Sequence, residues 1–233
     1  MTTAVRRRGA DDVLAGPIAE LALAPPRGDG RTLANWRVLA AAGARRLDPA
    51  RLLEAHLDAA VILADLDAPA PTPGSLWGVW AAQAPGAVVE AHAAGDGWVL
   101  RGAKAWCSGA DRCTHALVTA EAPDGPRLFA VDLAEAGVRP DGGTWRGVGM
   151  RGSGTAGVRF DDVPARAISS GEAYLDRPRF WHSAIGVAAV WFGGAVGAAA
   201  PLRRRLATGR GDAHDAAHAG HVDATLAAAA DVL

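Results

Sequence analysis

The chain has few cysteines, almost no excess charge and no long apolar run, and each shortage excludes a class of protein. Its 233 residues include only two cysteines, Cys107 and Cys113, too few for a disulfide framework. The formal net charge of −1 gives no support for nucleic acid as a partner. No apolar run reaches the roughly 20 residues that span a bilayer, and the first residues lack the apolar core of a secretory signal. We therefore expect a cytoplasmic protein that does not contact a membrane.

The first third of the chain has a helical pattern. Half of all residues are hydrophobic and 21% are charged, an ordinary composition for a chain long enough to bury a sizeable core. Apolar residues recur at helical spacing from about residue 11 to residue 67, and Asp48-Pro49 is typical of a helix start. The prolines of residues 68–74 then favour an extended linker. These features predict an N-terminal helical domain over residues 1–73.

The texture changes to short apolar runs separated by glycine and proline over residues 74–167. The candidate strands are residues 78–83, 88–93, 98–101, 104–108, 116–120, 128–132 and 157–160, with turn signals at 95–97, 123–125 and 141–143. Many short, closely spaced strands predict an antiparallel β-barrel or sandwich. Helical spacing returns after Gly171, which predicts a partial C-terminal helical domain over residues 168–233. The fold class is therefore α+β, with a β-domain between two helical ones.

The most informative segment is residues 97–120, in which an aromatic, a thiol and a hydroxyl adjoin one another between two apolar runs. These three residues are Trp106, Cys107 and Ser108. In an extended segment, side chains two apart share a face, so Trp106 and Ser108 would point the same way. A flat apolar surface beside a small hydroxyl suits a planar cofactor ring with hydrogen-bonding edges.

Three other patterns favour structure over chemistry. Residues 147–152 fit the glycine pattern G-x-G-x-x-G of dinucleotide sites, but a strand pattern follows where that motif requires a helix. His214, His218 and His221 lie at helical spacing without the H-E-x-x-H arrangement of zinc sites, so we expect an exposed polar face and no metal. The C-x₅-C spacing of the two cysteines is not a redox spacing, and packing explains them better.

Three ordered blocks, residues 97–120, 147–164 and 179–200, resemble the acyl-CoA dehydrogenase family. They are similar to its middle β-domain, to the strand-turn-strand that closes that domain, and to the first C-terminal helix. The resemblance implies an FAD-dependent oxidoreductase that removes two hydrogens from an acyl thioester in fatty acid metabolism. It implies that Trp106 packs against the flavin, that Ser108 hydrogen-bonds near its reactive edge, and that Cys107 holds the small position between them. Ala82 stands where the family has a flavin-contacting threonine.

The chain departs from this family at two places. The family's Thr-Glu-Pro stretch is not kept, and Gln83 stands in place of its acid. The family's Gly-Ser-Asp stretch is absent, and Val88 lies near the matching place. In most of the family, the carboxylate that removes the α-proton lies beyond the last residue of this chain, and in some members it matches Pro178. No catalytic residue is assigned, and we expect a homo- or hetero-oligomer in which a partner completes the C-terminal helices. Two alternatives remain: a non-catalytic subunit of the same family, and a flavin monooxygenase, which needs no such base.

Overall fold

The computed structural model describes residues 32–141 and 147–230, which contain five helices and seven strands. The helices are α1 (Thr32–Arg45), α2 (Leu47–Asp65), α3 (Gly171–Leu175), α4 (Phe180–Ala207) and α5 (Ala213–Ala230). The strands are β1 (Trp77–Trp80), β2 (Val89–Ala94), β3 (Gly97–Cys107), β4 (His115–Ala122), β5 (Gly125–Asp132), β6 (Val138–Asp141) and β7 (Ala156–Ser170). The helical pattern predicted over residues 11–31, and part of the turn at 141–143, lie outside the described residues.

The strands form a closed barrel. Strand β4 pairs with β5, β5 with β7, β7 with β3, β3 with β2, and β2 returns to β4. Strand β1 adds to β4 in parallel, and β6 adds to β7. The closure between β2 and β4 rests on one described residue pair, Glu90 with Glu121. The predicted α+β class with a middle β-barrel is confirmed.

Glycine and proline inside strands explain where the predicted strands were too short. Residues 98–101 and 104–108 are one strand, because Gly102, with φ of +115°, lets β3 continue through an irregular register with β7. Strand β7 extends to Ser170 past Asp162, another position with positive φ. Strand β6 was not predicted at all. It contains Pro140 and pairs only with β7, as a proline-bearing edge strand does.

Helix α2 and the barrel share a core within one compact unit, residues 55–181. Ile62 and Leu63 of the helix are fully buried with Leu117 of β4 and Leu128 of β5. Their apolar stripe follows the predicted helical period. The helix begins at Leu47, one residue before the predicted cap at Asp48.

Residues 32–54 and 182–230 form a second compact unit. Helices α1 and α4 pack closely there because glycines bring the two backbones together. A Cβ added at Gly193 would lie 1.9 Å from the carbonyl oxygen of Ala40, and one at Gly197 would lie 2.4 Å from that of Ala44. This confirms that the Ala- and Gly-rich helix suits close packing. The predicted domain boundaries at residues 73 and 167 stay predictions.

Helix α4 is long and apolar enough to cross a membrane, judged by length and composition alone. Its 28 residues include a window with a mean hydropathy of 1.7, of which 28% is buried. The expectation that no segment is long and apolar enough is therefore wrong. Alanine and glycine contribute to this window alongside the larger apolar residues. The absence of membrane contact stays a prediction.

Candidate functional site

Trp106 lies in a β-bulge that turns its indole outward. Between the pairs Lys104–Val158 and Cys107–Ala156, strand β3 has one residue more than β7. Trp106 takes up this extra residue with φ of +57°, a left-handed conformation that costs a bulky residue about 1–2 kcal/mol. Its side chain is 57% exposed. A strained backbone that presents a large aromatic surface to solvent is a feature that accompanies binding sites.

Ser108 begins the turn that follows the bulge, and a chain of hydroxyl groups holds it. Thr155 Oγ1 donates to Ser108 Oγ at 3.2 Å, and Ser153 Oγ lies 2.8 Å from Thr155 Oγ1. Trp80 Nε1 donates to the carbonyl oxygen of Ser108 at 3.0 Å. Within the described part of the chain, no acceptor takes the hydrogen of the Ser108 hydroxyl. That hydroxyl is therefore oriented by Thr155 and able to donate to a ligand.

The geometry differs from the expectation that Trp106 and Ser108 share one face of a single extended segment. Strand β3 ends at Cys107, and the left-handed backbone of Trp106 breaks the strict alternation of side chains. The two residues nevertheless lie within the same three-residue corner. The bond from Trp80 brings the end of β1 to this corner, and Ala82 follows that strand as an exposed residue.

The glycine-rich segment after residue 147 is a turn that supports this corner. Met150 and Gly154 both have left-handed backbones, flanking a short 3₁₀ turn, and β7 follows directly. Gly109 N donates to the carbonyl oxygen of Ser153 at 2.9 Å. A Cβ at Gly154 would lie 1.7 Å from Asp111 Oδ1. The segment is therefore a Gly-rich turn, as predicted, and its close approach places Thr155 beside Ser108.

Cys107 contributes no side chain to the exposed surface of the corner. It is fully buried, and its Sγ lies 3.4 Å from the carbonyl oxygen of Lys104. Burial raises the pKa of the thiol to about 12, an effect that Lys104 partly offsets. The group is thus a protonated, packed thiol at neutral pH. Cys113 is also buried.

The position that matches the α-proton base in some members of the family carries no carboxylate. Pro178 is exposed and stands between two arginines that form ion pairs. Arg177 Nη2 lies 3.1 Å from Asp58 Oδ1, and Arg179 Nε donates to Asp65 Oδ1 at 2.6 Å. Both arginines of this segment are therefore held in ion pairs with helix α2.

Sequence reasoning missed Trp80, Ser153 and Thr155. Thr155 lies in the block of residues 147–164 that carried the family resemblance, and the Ser-x-Thr sequence after a Gly-rich turn was its only signal. Trp80 reaches Ser108 across strands, which no local pattern reveals. The roles assigned to Trp106, Cys107, Ser108 and Ala82 stay predictions. His214, His218 and His221 are exposed on α5. The described residues contain no group of three side chains that could hold a metal ion.

Comparisons with known proteins agree with this architecture. Residues 81–163 match the family described as "Acyl-CoA dehydrogenase, middle domain". An L-evernosamine nitrososynthase from a Micromonospora species is 42% identical over 92 residues, which are 36% of this chain and 21% of that protein.

Two solved structures share the fold at low sequence identity. KijD3, in complex with FMN and a dTDP-linked 3-amino-4-keto sugar, superposes with a TM-score of 0.70 at 23% identity, over 86% of this chain and 56% of that one. The dibenzothiophene monooxygenase TdsC from Paenibacillus sp. A11-2 gives 0.66 at 20% identity, over 83% and 58%. The chain thus spans little more than half the length of these two proteins.

Proposed function

We propose that this chain, which has the fold of the acyl-CoA dehydrogenase-like flavoproteins, acts as a flavin-dependent monooxygenase on a small molecule. The sequence similarity to a nitrososynthase supports this function, and so does the fold shared with a dibenzothiophene monooxygenase. The coarser description, a flavoprotein oxidoreductase fold, is common to both the dehydrogenases and the monooxygenases. What separates the two is whether a carboxylate removes the α-proton of the substrate.

The observation that carries the flavin part of the proposal is the corner formed by Trp106 and Ser108. The exposed indole offers a flat apolar surface, and the Ser108 hydroxyl, oriented by Thr155, offers a donor beside it. An isoalloxazine ring needs both a stacking surface and a hydrogen-bond partner at its edge, so these residues fit a flavin. When bound, the flavin supplies the redox chemistry with oxygen, while the protein positions and tunes it. The binding experiment below determines whether the flavin is FMN or FAD.

The sequence similarity to a nitrososynthase favours oxygenation over dehydrogenation, and one of the two places at which the family carries its base holds no carboxylate here. Removal of a hydride from an acyl thioester requires a carboxylate to take the α-proton, and Pro178 stands at the matching place between paired arginines. An oxygen transfer to a nucleophilic nitrogen, sulfur or carbon atom has no such requirement. Fatty acid metabolism, implied by the family resemblance, therefore has less support than the modification of a nucleophilic small molecule. A non-catalytic subunit remains the second candidate.

Flavin binding by the purified chain tests the site. We expect FMN or FAD to bind with quenching of flavin fluorescence, and Ser108→Ala to weaken binding about tenfold through loss of one hydrogen bond. Trp106→Gly should weaken binding at least as much while leaving the chain no less stable, because glycine accepts the left-handed backbone without strain. Leu33→Ala, which removes another exposed apolar side chain, is the control. A chain that takes up neither oxidised nor reduced flavin would overturn the proposal.

A second experiment separates the two reactions. Reduced flavin, ¹⁸O₂ and a nucleotide-linked amino sugar should give a product that carries ¹⁸O if the chain is a monooxygenase. Anaerobic bleaching of bound oxidised flavin by an acyl-CoA would instead identify a dehydrogenase. A chain that binds flavin but neither oxygenates the amino sugar nor is bleached by the acyl-CoA supports the non-catalytic subunit.

We further propose that the chain works as an oligomer. Trp181 and Trp191 on helix α4 are 74% and 48% exposed, and a partner that covers this apolar helix would remove them from water. Light scattering of the purified chain measures the mass that decides this.

A further inference from the structure

The chain contains a single lysine, and that lysine is buried. Every other one of its 24 lysine and arginine residues is an arginine. Lys104, on β3, is only 5% exposed, whereas lysine side chains are ordinarily at the surface. An ammonium group is a compact cation with three donors, in contrast to the broad planar fork of a guanidinium. Position 104 therefore places the one ammonium side chain of this molecule in its interior.

The partners of Lys104 are neutral. Its Nζ donates to the carbonyl oxygen of Thr119 at 2.9 Å and to Thr119 Oγ1 at 2.7 Å. No carboxylate among the described residues lies within ion-pair distance of it, and no described acceptor takes its third hydrogen. Burial consequently lowers the pKa of Lys104, while Cys107 and Glu121 act in the opposite direction. A buried ammonium without a counter-ion is costly and is stabilised by any anion that reaches it.

A cavity of about 450 Å³ gives access to this ammonium. One wall is the loop between β1 and β2, which includes Gln83 and Gly86, and the other is formed by Lys104, Thr119 and Glu121. The loop is held against β3 at its end, where Ala103 N donates to the carbonyl oxygen of Val88 at 2.9 Å. The space between the loop and the barrel is therefore a formed feature of the fold with one buried cation in its wall.

We propose that this cavity binds the phosphate group of a small ligand, with a phosphate oxygen accepting the third hydrogen of Lys104. The anion supplies the counter-charge that the barrel interior lacks, and a charge-assisted hydrogen bond in a desolvated place is a strong one. Glu121, which is exposed on the cavity wall, repels an anion and keeps it on the Lys104 side. Inorganic phosphate, the phosphate of a flavin mononucleotide and that of a phosphorylated substrate share this chemistry. The site does not depend on the proposed function.

The single lysine makes a direct test simple. Incorporation of ¹³C,¹⁵N-lysine gives one side-chain ammonium signal, which needs no assignment. Inorganic phosphate should shift this signal saturably and raise the pH at which it titrates, since a bound anion favours the charged form. Chloride at matched ionic strength should not. The proposal is overturned if phosphate leaves the signal unchanged, or if chloride reproduces its effect.

Variants provide an independent measurement. Phosphate should raise the melting temperature of the wild-type chain but not that of Lys104→Met, because a ligand stabilises only the state it binds. Arg101→Met, which removes an exposed cation paired with Asp162, is the matched control and should keep the response. Glu121→Gln should strengthen the response by removing the repelling carboxylate. An equal response in Lys104→Met would contradict the site. If that variant does not fold, the lysine signal of the wild type still decides.

A comparison of flavins identifies the source of the phosphate. If the site holds the flavin phosphate, FMN should shift the lysine signal and riboflavin should not, and Lys104→Met should reduce the affinity for FMN to that for riboflavin. If inorganic phosphate binds while FMN and riboflavin behave alike, the site belongs to another phosphorylated ligand. Failure of flavin binding alone leaves the phosphate result intact, so the two proposals fail separately.

Discussion

Two glycines with the same backbone angle separate the cost of a left-handed conformation from that of a steric clash. Gly102 and Gly125 both have φ of +115°. A Cβ at Gly102 would lie 2.2 Å from the carbonyl oxygen of Val88, whereas nothing lies within 4 Å of a Cβ at Gly125. The absence of a side chain at Gly102 lets the loop wall of the Lys104 cavity lie this close to strand β3, where the hydrogen bond from Ala103 N to Val88 O holds it.

We therefore expect Gly102→Ala to destabilise the chain by about 1–3 kcal/mol more than Gly125→Ala does. The shared angle makes Gly125→Ala the control for backbone strain, so the difference reports the clash with Val88. Urea denaturation of both variants measures it. Equal losses would show that the loop moves away from β3 at little cost.

Single residues also mark the limit of what the sequence predicts about the site. The corner itself was predictable, because an aromatic, a small residue and a hydroxyl in that order resemble a known flavin contact. The left-handed backbone of Trp106 was not, since alternation assumes a regular strand and a bulge interrupts it. The burial of Lys104 was not either, since composition places lysine at the surface. Both depend on contacts across strands.

At the scale of elements, buried ion pairs attach the segment between α3 and α4 to helix α2. The Arg177 side chain is 1% exposed, and its guanidinium lies 3.1 Å from Asp58 and 3.5 Å from Asp65. It also lies 5.6 Å and 5.4 Å from the ring centroids of Tyr174 and Phe180. Removal of this one cation takes the guanidinium away from both carboxylates, although Asp65 keeps its ion pair with Arg179.

Arg177→Met should cost about 3–5 kcal/mol of unfolding free energy, as the loss of one partner of a buried pair does. Arg139→Met is the control, because the Arg139–Asp161 pair is exposed and is worth about 0–1 kcal/mol. Thermal and urea denaturation of the two variants give the comparison. A loss for Arg177→Met as small as that of the control would mean that the pairs add nothing to this attachment.

Elements were predicted where a local period dominates and missed where pairing dominates. Helices α1, α2 and α4 follow apolar residues at helical spacing, and α5 follows its high alanine content. The turns at 95–97 and 123–125 follow their glycine signals. Strand β6 is four residues with a proline, and only its partner β7 makes it a strand. The full length of β7 likewise depends on β3, β5 and β6 pairing along it.

The whole molecule should lose stability in alkaline solution because of the buried thiol. The folded-state pKa of Cys107 is raised to about 12, above that of an unfolded thiol near 9. Its contribution is fully present below pH 9 and is lost as the pH rises toward 12, because the unfolded chain then releases a proton that the folded chain keeps. Lys104 has the opposite sign, since its lowered pKa means that the folded chain gains stability as the pH rises toward the unfolded lysine value.

Denaturation at pH 8 and pH 10.5 measures the net effect, and Cys107→Ala isolates the thiol. We expect the variant to be less stable than the wild type at pH 8, through its small cavity, and to lose less stability on going to pH 10.5. A parallel decline in both proteins would assign the alkaline loss to other groups.

Function at the scale of the whole molecule was the least accessible to sequence reasoning. The order of the three blocks predicted the fold, because the fold is a property of the chain as a series of elements. The proposed reaction depends on whether a carboxylate would face the flavin, and Pro178 excludes it at only one of the two places where the family carries it. The acyl thioester substrate was predicted from the family resemblance alone, and no residue of this chain indicated it.

The closure of the barrel at Glu90 and Glu121 has a consequence for where the chain tolerates a change of length. A sheet joined around most of its circumference by long ladders, and at one seam by a single pair, tolerates changes of length at that seam, because an added or lost residue there breaks no ladder. The loop of residues 81–88 enters beside this seam. We therefore expect a residue added to or removed from this loop to leave the long ladders of the barrel intact.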